Sequence, residues 1–153
     1  RISTLNSQLS PGEARAVLLR SDCPGFFSAG DDVRELREVS EDLLAQLPRA
    51  HAMLDALEAL PLPTLAAIDG HALGGGLELA LCCDLRFMAE ASGRIGLPEV
   101  RLGMIPALGG TQRLPLLVGK TQHGEIAFAD DLREAALGNP PVRAENLAMA
   151  TAA

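Results

Sequence analysis

The stretch Ile68–Asp84 (IDGHALGGGLELALCCD) contains three consecutive glycines, followed at once by an apolar run that predicts a helix. Glycine lets a backbone approach a ligand closely, because no side chain intervenes. The N–H groups of a first helical turn have no partner within the helix, and the helix dipole favours an anion beside them. Glu78 would place a carboxylate next to that anion. These residues alone leave a plainer alternative open, a strand-to-helix turn with a solvated glutamate.

The overall composition is that of one globular domain. The 153 residues are enough for a substantial core, and 48% hydrophobic with 22% charged residues argues against disorder. A net charge of −7 and a pI near 4.9 disfavour binding to nucleic acid or to an anionic membrane. Only 3% of the residues are aromatic, with no Trp or Tyr, which argues against stacking on nucleobases. We therefore expect neither nucleic acid nor membrane as a partner.

The cysteines and histidines do not indicate a disulfide framework or a metal site. Cys23, Cys82 and Cys83 are odd in number, which is typical of reduced, buried thiols in a cytosolic protein. The three histidines are scattered, so no metal ligands are expected. No apolar run reaches the roughly 18–20 residues of a membrane span. The chain begins at Arg1 without a recognisable signal peptide, which leaves its natural N-terminus open.

The remaining pattern predicts an α/β protein. Short apolar runs at Ala16–Arg20, Thr64–Ile68 and Leu85–Ala89 are typical of buried strands. Between the first two, Ser40–Leu60 has helical periodicity, which Pro48 is expected to split or kink. This order favours parallel pairing, in which ligands collect at the carboxyl ends of the strands. The loops that follow the first two strands are therefore the expected walls of a site.

Several segments, in this order and spacing, resemble the crotonase (enoyl-CoA hydratase/isomerase) superfamily. They lie between about residues 16 and 120: Phe27–Val33 (FSAGDDV), Ala66–Gly70 (AAIDG), Ala72–Ala80 (ALGGGLELA), Gly96–Glu99 (GLPE), Gly103–Pro106 (GMIP) and Gly109–Leu114 (GGTQRL). The resemblance implies an α/β fold, the crotonase-like ββα spiral, assembled as a homotrimer or dimer of trimers. It also implies an acyl-CoA thioester substrate and no metal or redox cofactor, since coenzyme A is part of the substrate.

The resemblance further implies which residues do the chemistry. The backbone N–H groups of Asp31 and Gly75 would form an oxyanion hole that stabilises an enolate. Glu78 and Glu99 would be the two catalytic glutamates, Glu78 polarising water and Glu99 transferring a proton at C2. Two nearby carboxylates suit this division, because repulsion and burial push their pKa values apart.

The remaining site residues follow from the same resemblance. The residues expected to bind substrate are Ala29, Asp31, Asp32, Val33, Arg34 and Gly75, with 31–34 flanking the adenosine or pantetheine end. Asp69 and Asp84 are expected in turns or caps, and Arg113 is expected to be structural or near the CoA phosphates.

The chain departs from the family pattern in three places. Asp31 stands where hydratases usually carry a small residue; since its carboxylate would repel an enolate, we expect its side chain to point away. Residues 2–9 leave no room for a helix before the first strand. Residues 121–153 lose the match, which divides the chain into a crotonase-like core (1–120) and a divergent or incomplete C-terminal helical segment (121–153). Asn139–Pro141 is expected to be a linker and Ala144–Ala153 a short helix.

The sequence thus predicts an enoyl-CoA hydratase that adds water across the 2,3 double bond of a 2-enoyl-CoA. Two alternatives stay open: another crotonase-fold enzyme, an isomerase or thioester hydrolase, and a non-catalytic acyl-CoA-binding paralogue. A truncated paralogue and a joined set of segments from a longer chain are also both compatible with the tail. The expected location is the cytoplasm, or the mitochondrial matrix in a eukaryote.

Overall fold

The computed structural model describes residues 14–32, 41–89 and 93–118, except the side chains of 41–44 and 118. Within these ranges, six strands and three α-helices follow one another in the order β1, β2, α1, β3, β4, α2, β5, β6, α3. The strands are Val17–Leu19 (β1), Gly25–Ser28 (β2), Thr64–Ile68 (β3), Gly70–Leu73 (β4), Leu85–Met88 (β5) and Ile95–Gly96 (β6). The helices are Glu41–Glu58 (α1), Gly75–Leu81 (α2) and Gly110–Val118 (α3), with a 3₁₀ helix at Pro98–Leu102.

The strands form two three-stranded parallel sheets, ordered β1-β3-β5 and β2-β4-β6. Each repeat of the chain adds one strand to each sheet and then a helical segment, which is the ββα spiral of the crotonase fold. The predicted fold class is thus confirmed. The three predicted strands correspond to β1, β3 and β5 and make up one sheet; the second sheet was missed. Each of its strands contains a glycine, a residue depleted in strands, and none has the apolar run that marks the first sheet.

The core lies between the sheets and the helices. Its largest fully buried side chains include Ile68 on β3, Leu77 on α2, Met88 on β5, Ile95 on β6 and Leu114 on α3. α2 packs on β2 and β4 of the second sheet and on α3. This packing fixes the position of the site loops.

Pro48 does not split the first helix, contrary to expectation, since α1 runs from Glu41 to Glu58 with Pro48 inside it. Proline has no N–H, so one carbonyl in the preceding turn lacks its helical hydrogen bond. Because Pro48 is exposed, water can donate a hydrogen bond to that carbonyl instead. The helix directs Leu54 into the interior, where it is 1% exposed.

The polar residues expected in turns are structural. Asp84 accepts hydrogen bonds from Thr64 N and Thr64 Oγ1, both at 2.8 Å, and these bonds lower the pKa of its carboxyl. They join the start of β3 to the turn before β5. Asp69 is the exposed residue between β3 and β4.

The cysteines agree with the expectation in part. Cys82 and Cys83 are free and buried, and burial raises the pKa of each thiol to about 11. Cys23, expected to be buried, is exposed because it lies in the turn between β1 and β2. The N-terminal segment 2–9 and the predicted linker and helix after residue 120 lie outside the described residues.

Candidate active site

The site begins where two backbone segments meet without side chains between them. A Cβ atom on Gly30 would lie 2.9 Å from the backbone N of Gly75, and one on Gly76 would overlap the carbonyl oxygen of Ser28. The loop after β2 therefore packs directly on the start of α2. This close approach is the physical reason for glycine at these positions. It brings the backbone of Gly30, the residue before Asp31, next to that of Gly75.

A second glycine-containing loop, residues 108–110, binds the side chain of Glu78. Glu78 is 2% exposed, and its Oε1 accepts hydrogen bonds from Leu108 N at 2.8 Å and Gly110 N at 2.7 Å. A Cβ atom on Gly110 would lie 3.0 Å from that same oxygen, so the loop fits the carboxylate closely. Burial raises the pKa of Glu78, although the two amide hydrogen bonds oppose the shift.

Glu99 lines the same cavity as Glu78 but has different surroundings. It lies in the first turn of the 3₁₀ helix, and its Oε2 is buried without a hydrogen-bond partner in the described part of the chain. Its Oε1 reaches Gly74, where an added Cβ atom would lie 3.0 Å away. Burial raises the pKa of Glu99, and the negative charge of Glu78 raises it further.

Both glutamates face one cavity of about 300 Å³. Most of its lining is apolar, and the residues are Ala29, Asp31, Leu47, Gly74, Gly75, Glu78, Pro98, Glu99, Leu102, Met104, Ile105, Ala107 and Leu108. An apolar cavity with a few convergent polar groups is the usual form of a small-molecule site. Among the described residues, no group of three or more His, Cys, Asp or Glu is arranged to hold a metal ion.

The side chain of Asp31 does not point away from the site, contrary to expectation. Asp31 lines the cavity, and its Oδ2 would lie 3.9 Å from a Cβ atom on Gly75. Its negative charge also raises the pKa values of Glu78 and Glu99. Asp31 is exposed, so the carboxylate can stay hydrated at the mouth of the cavity while facing it.

The other predicted substrate-binding residues divide into two groups. Ala29 and Gly75 line the cavity, whereas Asp32 is exposed and does not. Val33 and Arg34 lie outside the described residues. The guanidinium of Arg113 donates hydrogen bonds to Glu58 and to the carbonyl oxygen of Leu108.

The structure adds residues that the sequence did not single out for the site. Leu47, Leu102 and Ile105 supply apolar walls, and the amides of Leu108 and Gly110 hold Glu78. The glycine pair 109–110 before α3 is a signal that could have identified the amide donors, since it repeats the arrangement that precedes α2. No comparable pattern marks the apolar walls, which come from α1 and from the segment after β6.

No α-helix in the described part of the chain is long and apolar enough to cross a membrane. The expected absence of a membrane partner remains a prediction.

Comparison with known proteins agrees with the fold and the motifs. The enoyl-CoA hydratase/isomerase family model matches residues 4–136. The enoyl-CoA isomerase/hydratase fer4 of Mycosarcoma maydis is 51% identical over 115 residues, which are 74% of this chain and 42% of that protein. Human mitochondrial methylglutaconyl-CoA hydratase is 44% identical over 121 residues, 78% of this chain and 35% of that protein. The chain thus spans less than half the length of these two relatives.

Solved structures give the same result. An enoyl-CoA hydratase from Bacillus anthracis superposes with a TM-score of 0.79 at 35% identity, over 92% of this chain and 57% of that one. The family model covers most of the sequence, and the two parallel sheets place the glycine loops as the spiral requires. This chain therefore belongs to the enoyl-CoA hydratase/isomerase family of the crotonase superfamily.

Proposed function

We propose that the protein hydrates a 2-enoyl-CoA, adding water across the 2,3 double bond. The observation that carries this proposal is that buried Glu78 and half-buried Glu99 line one apolar cavity, beside the contact between the Gly30 and Gly75 backbones. An apolar cavity suits an acyl chain. The backbone contact suits a thioester oxygen that gains negative charge in the transition state.

In the proposed reaction, the N–H groups of Asp31 and Gly75 bind the thioester oxygen. A donor of this kind contributes about 3–4 kcal/mol when it is aimed at the developing charge. The water oxygen bonds to C3 while Glu78 takes one of its protons, and Glu99 gives a proton to C2. Loss of a proton from Glu78 and uptake of one by Glu99 then restore the starting state.

The surroundings of the two glutamates support this assignment of roles. Glu78 accepts two amide hydrogen bonds, which favour its ionised form and fix its orientation. Glu99 has an unpartnered buried oxygen and faces the charge of Glu78, which both favour its protonated form. A base and an acid with such different surroundings can work side by side at one pH.

The experiment that tests the proposal follows the loss of conjugated thioester absorbance when the purified chain is incubated with crotonyl-CoA. Hydration supports the proposal. Conversion of a 3-enoyl-CoA without hydration of crotonyl-CoA would favour a double-bond isomerase, the second candidate, which the name of the fer4 relative suggests. Release of free CoA would favour a thioester hydrolase. Acyl-CoA binding without turnover, unchanged by Glu78→Gln or Glu99→Gln, would favour a non-catalytic paralogue.

We extend the proposal to assembly and location. A homotrimer or dimer of trimers would cover exposed apolar side chains such as Ile105, which is 79% exposed, and Leu116, which is 85% exposed. The cytoplasm, or the mitochondrial matrix in a eukaryote, is the proposed location, and some relatives are named mitochondrial. Light scattering on the purified protein and fractionation of the source cells test these two points.

A further inference from the structure

The loop that holds Glu78 is itself held by one arginine. Arg113 Nη1 donates a hydrogen bond to the carbonyl oxygen of Leu108 at 2.9 Å, while the N–H of Leu108 donates to Glu78 Oε1 at 2.8 Å. The same residue thus binds Arg113 through its carbonyl and Glu78 through its amide. Leu108 alone therefore connects the guanidinium of Arg113 to the carboxylate of Glu78, the proposed catalytic base.

Gly109 makes this arrangement possible. Its φ of +94° is a conformation that other residues rarely adopt, and a Cβ atom there would overlap Arg113 Nη1. The backbone N of Arg113 also bonds to the carbonyl oxygen of Gly109 at 2.9 Å. Arg113 therefore fixes the loop through both its side chain and its backbone.

The other end of the guanidinium is anchored on α1. Arg113 Nη2 lies 2.8 Å from Glu58 Oε2 and 3.5 Å from Asp55 Oδ1, and Nε lies 3.2 Å from Glu58 Oε2. The Arg113 side chain is 15% exposed, whereas Asp55 and Glu58 are 70% and 54% exposed. A largely buried cation thus joins α1 and α3 to the loop, and it is not among the residues that line the cavity.

We propose that Arg113 is a positioning residue for Glu78, acting through the Leu108–Gly110 loop and through its own positive charge. The inference rests on the proposed hydratase function. It goes beyond a structural role because Arg113 would set both the direction of the Glu78 carboxylate and the pH at which it ionises.

The ionisable groups near Glu78 come from four elements. Asp31 from the loop after β2 and Glu99 from the 3₁₀ helix can carry negative charge, whereas the Cys82 thiol at the C-cap of α2 is neutral, since burial raises its pKa to about 11. Arg113 on α3 is the cation that lowers the pKa of Glu78 among the described residues. Without it, only the Leu108 and Gly110 amides oppose burial and the negative neighbours, so the carboxyl should hold its proton to a higher pH.

The test compares Arg113→Met and Arg113→Lys with Arg20→Met in crotonyl-CoA hydration. Arg20 is a matched control, since it pairs with Asp22 at 3.1 Å on the surface, outside the site. We expect Arg113→Met to lower kcat on the order of 10–100-fold, because a small misplacement of a catalytic group is costly. KM should change less than about threefold, since Arg113 does not contact the substrate. Arg20→Met should match the unsubstituted chain.

The pH profile separates positioning from stability. For Arg113→Met, the acidic limb of kcat/KM should move to higher pH. Arg113→Lys keeps the positive charge, so the acidic limb of kcat/KM should return to its original pH. Only part of kcat should be recovered, because an ammonium group lacks the planar set of donors of a guanidinium. If Arg113→Met folds and retains both kcat and the acidic limb, the proposal is overturned.

Two further measurements keep the inference testable. If Arg113→Met fails to fold, Glu58→Gln weakens the attachment of Arg113 to α1 while keeping its positive charge. We then expect a reduced kcat, with no shift of the acidic limb of kcat/KM to higher pH. Unchanged kcat in both Glu58→Gln and Arg113→Lys would refute the proposal. An NMR titration of the Glu78 carboxyl in Arg113→Lys and Arg20→Met needs no turnover. If the chain does not hydrate crotonyl-CoA, the proposed function fails. In that case, the inference about Arg113 stands only if Arg113→Met still changes the NMR titration of the Glu78 carboxyl. If Arg113→Met does not fold, the double variant Asp55→Asn with Glu58→Gln takes its place in this measurement.

Discussion

The two glutamates of the cavity stand on walls of different construction. Glu78 lies on α2, fully buried, with two amide donors on one oxygen. Glu99 lies on a short 3₁₀ helix, half-buried, and one of its oxygens has no partner in the described part of the chain. Two amide hydrogen bonds hold a carboxylate in place and favour its anion, whereas burial of an oxygen without a partner favours the protonated form. The difference supports the proposed roles, with Glu78 as a fixed base and Glu99 as a less constrained acid.

The largest effect is expected from neutralising either glutamate. Glu78→Gln keeps an oxygen for the two amides, so it removes the base without moving the loop. Glu99→Gln removes the proton that would go to C2. Each should lower kcat for hydration by about 10²–10⁴-fold, the usual contribution of a general acid or base. Asp69→Asn, an exposed carboxylate outside the cavity, serves as the control. Full activity in Glu99→Gln would break the proposed division of roles.

Two neighbouring glycines, Gly75 and Gly76, test how firmly α2, the helix that carries Glu78, is held in place. Gly76→Ala places a methyl group against the Ser28 carbonyl, so we expect it to destabilise the fold by about 1–3 kcal/mol and to displace α2. Gly75→Ala meets Leu108 Cδ1 at 3.5 Å, Gly30 Cα at 3.6 Å and Asp31 Oδ2 at 3.9 Å, all ordinary contacts, and should change stability by less than about 1 kcal/mol. Urea unfolding of both variants gives the comparison. Equal losses would mean that the Ser28 contact does not fix the position of α2.

The folded protein should become more stable when the charge of Glu99 is removed. Because the pKa of Glu99 is raised in the folded protein, the fold favours the protonated carboxyl. This contribution is complete below the unfolded pKa and is lost as the pH rises through the folded pKa. Glu99→Gln should therefore raise Tm at pH 7 by roughly 2–5 °C, and the gain should shrink as the pH falls toward about 4.

Thermal unfolding across this pH range checks the stability effect, with Asp69→Asn as the matched change at an exposed carboxylate. A gain that persists undiminished in acid would show that the charge of Glu99 is not its cause.

The smallest effect is expected at Asp31, whose charge acts on both walls. Asp31→Ala should leave turnover similar or improve it, since the carboxylate opposes an enolate and raises the pKa values of Glu78 and Glu99. The acidic limb of kcat/KM should move to lower pH by roughly a few tenths of a unit, because solvent screens an exposed charge.

Asp31→Asn, of the same shape but uncharged, separates charge from size and should reproduce the shift. A large loss of turnover in both variants would instead make Asp31 a participant in the reaction.

The elements predicted from the sequence are those with a strong local signal. The strand Thr64–Ile68 agrees with the structure at both ends, and the helix predicted from the apolar run at Leu77 begins two residues earlier, at Gly75. The strands β2, β4 and β6 were missed, because their pairing comes from partners far along the chain rather than from their own few residues. A split of α1 at Pro48, one of the two expected outcomes, is wrong, since local propensity cannot show that an exposed position tolerates the lost hydrogen bond.

The residue types of the site are predictable from the sequence, because each has a local chemical reason. Glycines are needed where two backbones meet, and Glu78 and Glu99 follow recognisable family motifs. The direction of the Asp31 side chain, the two amides on Glu78 and the bridge from Arg113 to α1 are not predictable in this way. They depend on contacts between residues up to 58 positions apart, which arise only when the repeats stack into the spiral. The sequence therefore determined the chemical groups, and the packing of the loops decided the surroundings of each group.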